Sequence, residues 1–231
     1  PCLADNYAFL LRDQATGKVA LLDAPESYPV QNALQDRGWK LDVVLLTHHH
    51  YDHVDGLPEL IEEFHPQVIG AKADASRLPP LDLALNEGDT FNVGESEGNI
   101  IDVSGHTVGH IAFHFPSANA VFTADSLMAL GCGRLFEGTP EQMWHSLSRL
   151  AALPEETKVY CAHEYTLPNL RFAQSVDPKN STLDARISTD TRKRVEKLST
   201  IPSTIALEKA TNPFLRPMNV DFCRAYAATQ G

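Results

Sequence analysis

The chain has 231 residues, of which 43% are hydrophobic and 21% charged, enough for one large domain with a small appendage and without the composition of a disordered protein. Nineteen Lys and Arg stand against 30 Asp and Glu, a net charge of -11. That balance argues against a nucleic-acid surface and a polybasic membrane contact, and no apolar run approaches the ~18 residues of a membrane-spanning helix. Short apolar runs predict strands at residues 7–11 and 19–22, helical spacing follows at 30–37, and a further strand falls at 43–46. The next helix covers 57–64, with Pro58 in its first turn. Strands are then expected at 67–69, 100–103, 111–115 and 120–122. The best-signalled helix starts at Thr139, where Pro140 suits the first helical position and Gln142 completes a capping box; Met143, Leu147 and Leu150 carry its apolar stripe. A strand at 159–161 and a polar, basic helix at 183–198 end the series. Charge divides the chain as well. Residues 1–180 hold 11 basic and 25 acidic side chains, a net of -14, whereas residues 181–231 hold 8 and 5, a net of +3. With Pro178-Lys179-Asn180 as punctuation, the pattern predicts an α/β or α+β body and a small helical C-terminal part.

Ten histidines are present, and four of them, His48, His49, His50 and His53, fall within six residues. A buried strand delivers the chain to Thr47 and a helix follows Gly56, so these histidines sit on a strand-to-helix turn. In extended backbone His48 and His50 share one side and His49 alternates away. The resulting H-x-H-x-D-H offers three imidazoles and the Asp52 carboxylate, donors suited to zinc, iron or manganese. The competing account is a solvated loop with coincidental histidines. Three more strand ends repeat the design: 100–103 leads to His106, 120–123 to Asp125, and 159–161 to His163. Together they supply five histidines and two aspartates, enough for two metals with a bridging carboxylate, which places a nucleophile generator beside a Lewis acid. His110, His65, His114 and His145 read as structural histidines, and Cys132 and Cys161 as buried spectator thiols. Asp23, ending the 19–22 strand, is expected either to accept a hydrogen bond from a ligand imidazole or to serve as a turn residue. The four cysteines show no C-x-x-C spacing, so free thiols in a reducing compartment are expected.

H-x-H-x-D-H followed by a separate His, Asp and His is similar to the signature of the metallo-β-lactamase superfamily, over residues ~5–170. That resemblance implies an α+β fold, an αββα sandwich with a binuclear site at one sheet edge. Within the superfamily the chain resembles the hydroxyacylglutathione hydrolase (glyoxalase II) family. The stretches that carry this are Gly131-Cys132-Gly133-Arg134-Leu135-Phe136-Glu137-Gly138-Thr139, Cys161-Ala162-His163-Glu164-Tyr165-Thr166 and Asn212-Pro213-Phe214-Leu215-Arg216, with Asp5-Asn6-Tyr7 near the start. The resemblance implies a first metal on His48, His50 and His106, a second on Asp52, His53 and His163, and Asp125 as the bridge. Asp52 is expected to orient the attacking water as well as bind metal, and Arg134, Phe136, Tyr165 and Lys209 to meet glutathione. It further implies a catalytic domain at 1–167 and a helical substrate-binding domain at 168–231. The implied cofactors are two divalent ions, zinc first, with iron or manganese as alternatives. The implied reaction is hydrolysis of S-D-lactoylglutathione to glutathione and D-lactate, in methylglyoxal detoxification in the cytoplasm. A monomer without nucleic-acid or membrane partners is expected. Phe136 replaces a tyrosine common in the family, Ala124 a glycine and Ser126 a threonine. The alternatives are a β-lactamase, a general thioesterase or esterase, an iron oxidoreductase of the persulfide dioxygenase kind, or a non-catalytic metal-binding scaffold.

Overall fold

Residues 19–22 and 43–46 are runs of Val, Ala and Leu without alternation, which is how a strand reads when both its faces are buried. In the computed structural model, which describes residues 1–230, every residue of both runs is buried. They form β2 (Val19–Leu22) and β3 (Val43–Leu46) of a five-stranded sheet with β1 (Phe9–Arg12), β4 (Gln67–Ala71) and β5 (Leu83–Leu85). β1 is antiparallel to β2, and the pairs from β2 to β5 are parallel. The second sheet contains β6 (Thr90–Val93), β7 (Ser96–Asp102), β8 (Ile111–Phe115) and β9 (Ala120–Ala124). Beyond a hairpin of β10 (Leu127–Met128) and β11 (Gly131–Cys132), it is completed by β12 (Lys158–Cys161) and β13 (Ser203–Thr204) in the order β13-β12-β9-β8-β7-β6.

The apolar side chains sort into layers. Leu22, Leu45 and Ile69 of the first sheet pack against Phe91, Phe113 and Phe122 of the second. The opposite face of the first sheet, Leu21, Val44 and Leu46, meets Val30 and Leu34 of α1 (Ser27–Arg37) and Leu57 and Leu60 further along. Those two leucines belong to α3 (Leu57–Phe64), which follows a single turn, α2 (Tyr51–Val54). The outer face of the second sheet is covered by Met143, Leu147 and Leu150 of α4 (Pro140–Ala151). Helix, sheet, sheet and helix thus form the four layers, and α4 begins with the expected Thr139–Gln142 capping box.

Helices dominate the remainder: α5 (Thr166–Val176), α6 (Ser181–Val195), α7 (Ile205–Thr211) and α8 (Val220–Gln230). Asn180 caps α6 by accepting from Thr182 and Leu183 N–H groups, so this helix starts two residues earlier than its apolar pattern. α7 grips the β10–β11 hairpin. Glu208 accepts the Leu130 N–H at 2.9 Å, and Asn212 Nδ2 donates to the Met128 and Gly131 carbonyls at 3.0 and 2.9 Å. Arg186 on α6 completes this buried cluster by donating to Glu208 at 2.7 Å. β5, β6, α5 and α7 carry too weak a pattern to be expected from the sequence. β6 and the start of β7 alternate around polar residues, and α5 has Pro168 in its first turn with no side-chain cap.

Two successive antiparallel pairings, β7 with β8 and β8 with β9, leave β7 and β9 running the same way, and β12 is parallel to β9. Their carboxyl ends therefore share one edge of the second sheet. The end of β3 joins them across the sandwich, where the Thr47 carbonyl accepts the Ile111 N–H at 3.1 Å.

Candidate metal centre

Each of those four strand ends delivers donors. β3 leads to His48 and His50 and into α2, which carries Asp52 and His53; β7 leads to His106, β9 to Asp125 and β12 to His163. Their side chains converge. Three groups have one ligand atom from each member within 4.8 Å of the others: His48, His50 and His106; His48, His53 and Asp125; and Asp52, His53 and His163. Asp125 stands between the sets. Its Oδ2 lies 3.4 Å from His106 Nε2, and its Oδ1 lies 3.5 Å from His53 Nε2 and 3.2 Å from His163 Nε2. Asp52 Oδ2 is 3.6 Å from His163 Nε2 and 3.9 Å from His53 Nε2.

Buried polar atoms are nearly always paired, and orphans call for a partner. His48 Nε2, His53 Nε2 and Asp125 Oδ1 are buried without a hydrogen-bond partner and belong to these groups. The imidazole and carboxylate donor set suits two divalent ions sharing a carboxylate. The arrangement is a dinuclear metal site.

Behind the donors lies a second layer that fixes each imidazole. Asp23 accepts from the Thr47 N–H and hydroxyl, both at 2.9 Å, and its Oδ2 lies 2.8 Å from His53 Nδ1. The Thr47 hydroxyl also sits 3.0 Å from His48 Nδ1, so one carboxylate orients two rings. Asp5 Oδ1 is 3.0 Å from His163 Nδ1, the Arg134 carbonyl 2.7 Å from His106 Nδ1, and Asn6 donates to Asp52 Oδ2 at 3.1 Å. Of the two expectations for Asp23, the structure selects the hydrogen bond to an imidazole. Asp5, Asn6, Thr47 and the Arg134 carbonyl have no local sequence signal for these roles. The Asp5-Asn6-Tyr7 motif was the one available hint. His110 stacks on His48 with centroids 4.5 Å apart and accepts the Asp125 N–H at 3.3 Å. His49 turns away and meets Asp74 at 2.9 Å. The peptide before Asp125 is held at a positive φ of 40° at Ala124, where the family commonly has glycine.

The electrostatics divide the donors into two classes. Burial, followed by repulsion from neighbouring imidazoles, pushes His48 well below its ordinary value, and burial lowers His50 and His106 too. At neutral pH these rings offer free lone pairs. Burial acts the same way on His53, but the carboxylates of Asp23, Asp125 and Asp52 outweigh it and raise His53 to about 9. Burial also opposes the rise at His163, where Asp125 and Asp5 prevail. Asp125 is held far below the usual carboxylate range by His163, His53 and His106 despite its burial. An ion entering beside His53 and His163 must therefore displace protons.

His50, Asp52, His106, Asp125 and His163 line a cavity of about 820 Å³, together with Arg134, Phe136, Tyr165, Asn169 and Tyr51. The Arg134 guanidinium lies 5.8 Å from the Phe136 ring centroid, and the Tyr165 ring stacks on His163 at 4.7 Å. Lys209 lies outside the residues lining this cavity, and its ammonium meets Glu155, 2.9 Å away.

The family model of the metallo-beta-lactamase superfamily matches residues 5–163, and that of the hydroxyacylglutathione hydrolase C-terminus matches 164–230. Proteins named hydroxyacylglutathione hydrolase from Ruegeria pomeroyi and a Jannaschia species are 63% and 60% identical over 216 residues. That is 94% of this chain and 85% and 84% of theirs. Among solved structures, ETHE1 from Myxococcus xanthus superposes with a TM-score of 0.68 at 28% identity, covering 90% of this chain and 78% of that one. A di-iron-bound form of TTHA1623 gives 0.67 at 26%, covering 91% and 95%. A sandwich that converges seven His and Asp side chains at one edge, matched in succession by the two family models from residue 5 to 230, makes the chain a member of the hydroxyacylglutathione hydrolase family of the metallo-beta-lactamase superfamily.

Proposed function

We propose that the chain hydrolyses S-(2-hydroxyacyl)glutathione thioesters, with S-D-lactoylglutathione as a representative substrate and two zinc ions as the working metals. The observation that carries the reading is the cavity itself: donor sets that overlap at His48 and His53 meet beside Asp125, which lines the cavity with Arg134 and Tyr165. His48, His50 and His106 would hold one ion, Asp52, His53 and His163 the other, and Asp125 both. When bound, such a pair acidifies a shared water and polarises a carbonyl. Asp52, whose carboxylate accepts from Asn6, would orient that water. Burial pushes the Cys132 and Cys161 thiols up to about 12, so neither offers a thiolate nucleophile near neutral pH. Hydrolysis by activated water needs none.

Glutathione thioesters carry net negative charge near neutral pH, and the chain's net charge of -11 repels them at long range. Arg134 supplies a local planar fork for a carboxylate, and Tyr165 an aromatic face at the wall. In this reading residues 1–167 form the catalytic unit and 168–231 the unit that closes the substrate side. The test pairs metal analysis with thiol release from S-D-lactoylglutathione, nitrocefin turnover and oxygen uptake, each measured on the protein as purified and after loading with zinc or with iron. Thiol release alone, with two metals per chain, is the expected result. Nitrocefin turnover or oxygen uptake without thiol release overturns the reading.

A further inference from the structure

One charge cluster beside the site takes no part in holding metal. The 3₁₀ turn Lys72–Asp74 that follows β4 carries Asp74, whose side chain is fully buried. Three groups surround that carboxylate and its neighbour Glu137. His49 Nδ1 lies 2.9 Å from Asp74 Oδ2, and Arg77 Nε donates to Asp74 Oδ1 at 2.6 Å. Arg77 also donates to Glu137 at 2.6 Å and to the Val108 carbonyl, while Glu137 accepts the Val108 N–H at 2.7 Å. His49 Nε2 is 3.6 Å from Glu137.

These contacts tie together three segments distant in sequence: the His48–His50 loop, the loop around His106, and the segment that carries Arg134 and Phe136. Their backbones are stacked as well. A Cβ placed on Gly109, which has a φ of +94°, would lie 3.2 Å from Asp74 Cβ, and one on Gly138 would lie 2.6 Å from the Gly105 carbonyl oxygen. The turn thus supports the His106 loop, and that loop supports the segment above it. The Phe136 N–H donates to the His106 carbonyl at 3.2 Å, two residues from the Arg134 guanidinium.

We propose that Arg77 is a positioning residue for substrate: through Glu137 it holds the Arg134–Phe136 segment at the height where the Arg134 fork meets the glutathione carboxylate; this rests on the thioesterase reading. Arg77 does not line the cavity and touches no donor of the metal site. Its guanidinium is about one-third exposed, so each of its ion pairs is partly screened and the effect works through fixing the segment.

The test uses the metal-loaded enzyme and its Arg77→Ala, Arg77→Lys and Glu137→Gln variants, with S-D-lactoylglutathione and a small uncharged thioester as paired substrates. Loss of a contact made equally in ground and transition states raises KM more than it lowers kcat. Arg77→Ala is expected to raise KM for the glutathione thioester roughly 5- to 20-fold, the range of a charge-assisted hydrogen bond after screening. The same variant should keep kcat within about three-fold, two metals per chain and near wild-type turnover of the uncharged thioester. Glu137→Gln should move KM the same way, and Arg77→Lys, which reaches only one of the two carboxylates, should fall between. In an Arg134→Ala background, Arg77→Ala should add less than two-fold, since the group it positions is gone. Unchanged KM in both Arg77→Ala and Glu137→Gln overturns the proposal, as do metal loss, equal damage to the uncharged thioester, or full additivity with Arg134→Ala. If wild type releases no thiol from S-D-lactoylglutathione, the thioesterase reading itself has failed.

Discussion

Replacing Asp23 by asparagine exchanges one carboxylate oxygen for an amide nitrogen at nearly constant volume, inside a site where three donors already point at that group. In the wild type Asp23 accepts from the Thr47 N–H, the Thr47 hydroxyl and His53 Nδ1, at 2.9, 2.9 and 2.8 Å. Asparagine can still accept the Thr47 N–H, but its amide hydrogens then face the Thr47 hydroxyl and His53 Nδ1. To avoid a clash of donors, His53 must give up its Nδ1 proton and carry it on Nε2, the atom that faces the metals. The Thr47 hydroxyl must likewise reverse and point at His48 Nδ1, 3.0 Å away. A charge-assisted hydrogen bond contributes about 1.5–3 kcal/mol, and groups that orient metal-binding imidazoles typically account for roughly 10–100-fold in affinity. We therefore expect the ion beside His53 to bind on the order of 10–100-fold more weakly in Asp23→Asn, and the ion beside His48 less than 10-fold more weakly. Thr47→Val cuts only the relay to His48 and should invert that order. The assay is stepwise competition with a chromophoric chelator at fixed pH, with the folded state checked by circular dichroism. Wild-type affinity for both ions in folded Asp23→Asn would refute the tautomer argument.

Ala124→Gly should relieve a φ of 40°, which costs an L-residue roughly 1–2 kcal/mol, at a backbone-entropy cost of about 0.5–1 kcal/mol. A small rise in the urea midpoint with an unchanged slope is the expected outcome, and a lower midpoint contradicts the strain. The pH dependence of the metal-free chain has two arms. His53 is raised to about 9, so its contribution is full below its ordinary 6.5 and is lost as pH rises through about 9. His48, His106 and His110 are lowered, His110 to about 3, so their contribution is present above 6.5 and is lost as pH falls from there. Thermal unfolding in excess chelator should peak near neutral pH, and metal loading should flatten the alkaline decline; a Tm that climbs steadily through pH 9 contradicts the ion pairs of His53. Arg134→Ala should raise KM for S-D-lactoylglutathione by roughly 10-fold or more. Lys209→Ala, paired to Glu155 away from the cavity, should leave KM within about two-fold.

The candidate metal donors were legible because they are local. His48, His50, Asp52 and His53 occupy one short stretch, and each remaining donor directly follows an apolar strand. The groups that aim those donors were less so. Asp5 meets His163 across 158 positions of chain, and Asp23 meets His53 across 30; the first pair exists only once the two sheets close on each other, the second once β2 and β3 lie side by side. Two buried runs, 19–22 and 43–46, read correctly as strands because an unbroken Val, Ala and Leu series has nowhere to go but between layers. By contrast β6 and α5 depend on tertiary packing that no local pattern announces. The pairing of Lys209 with Glu155, 54 positions away, is another contact that no local pattern announces.

The grip of α7 on the β10–β11 hairpin has a consequence for biosynthesis. Asp125 precedes the hairpin by two residues, and Asn212 Nδ2 donates to the carbonyls of Met128 and Gly131. The Leu130 N–H donates to Glu208. A ribosome that has delivered His163, the last donor of the site, still has about 50 residues to add before these partners exist. Until then these backbone groups lack the side chains that brace them, each such hydrogen bond contributing about 0.5–1.5 kcal/mol. During synthesis the ligand set is thus complete well before it is held in place. Truncation near residue 200, which removes Glu208 and Asn212, should therefore loosen the hairpin that follows Asp125 and weaken metal retention beside it.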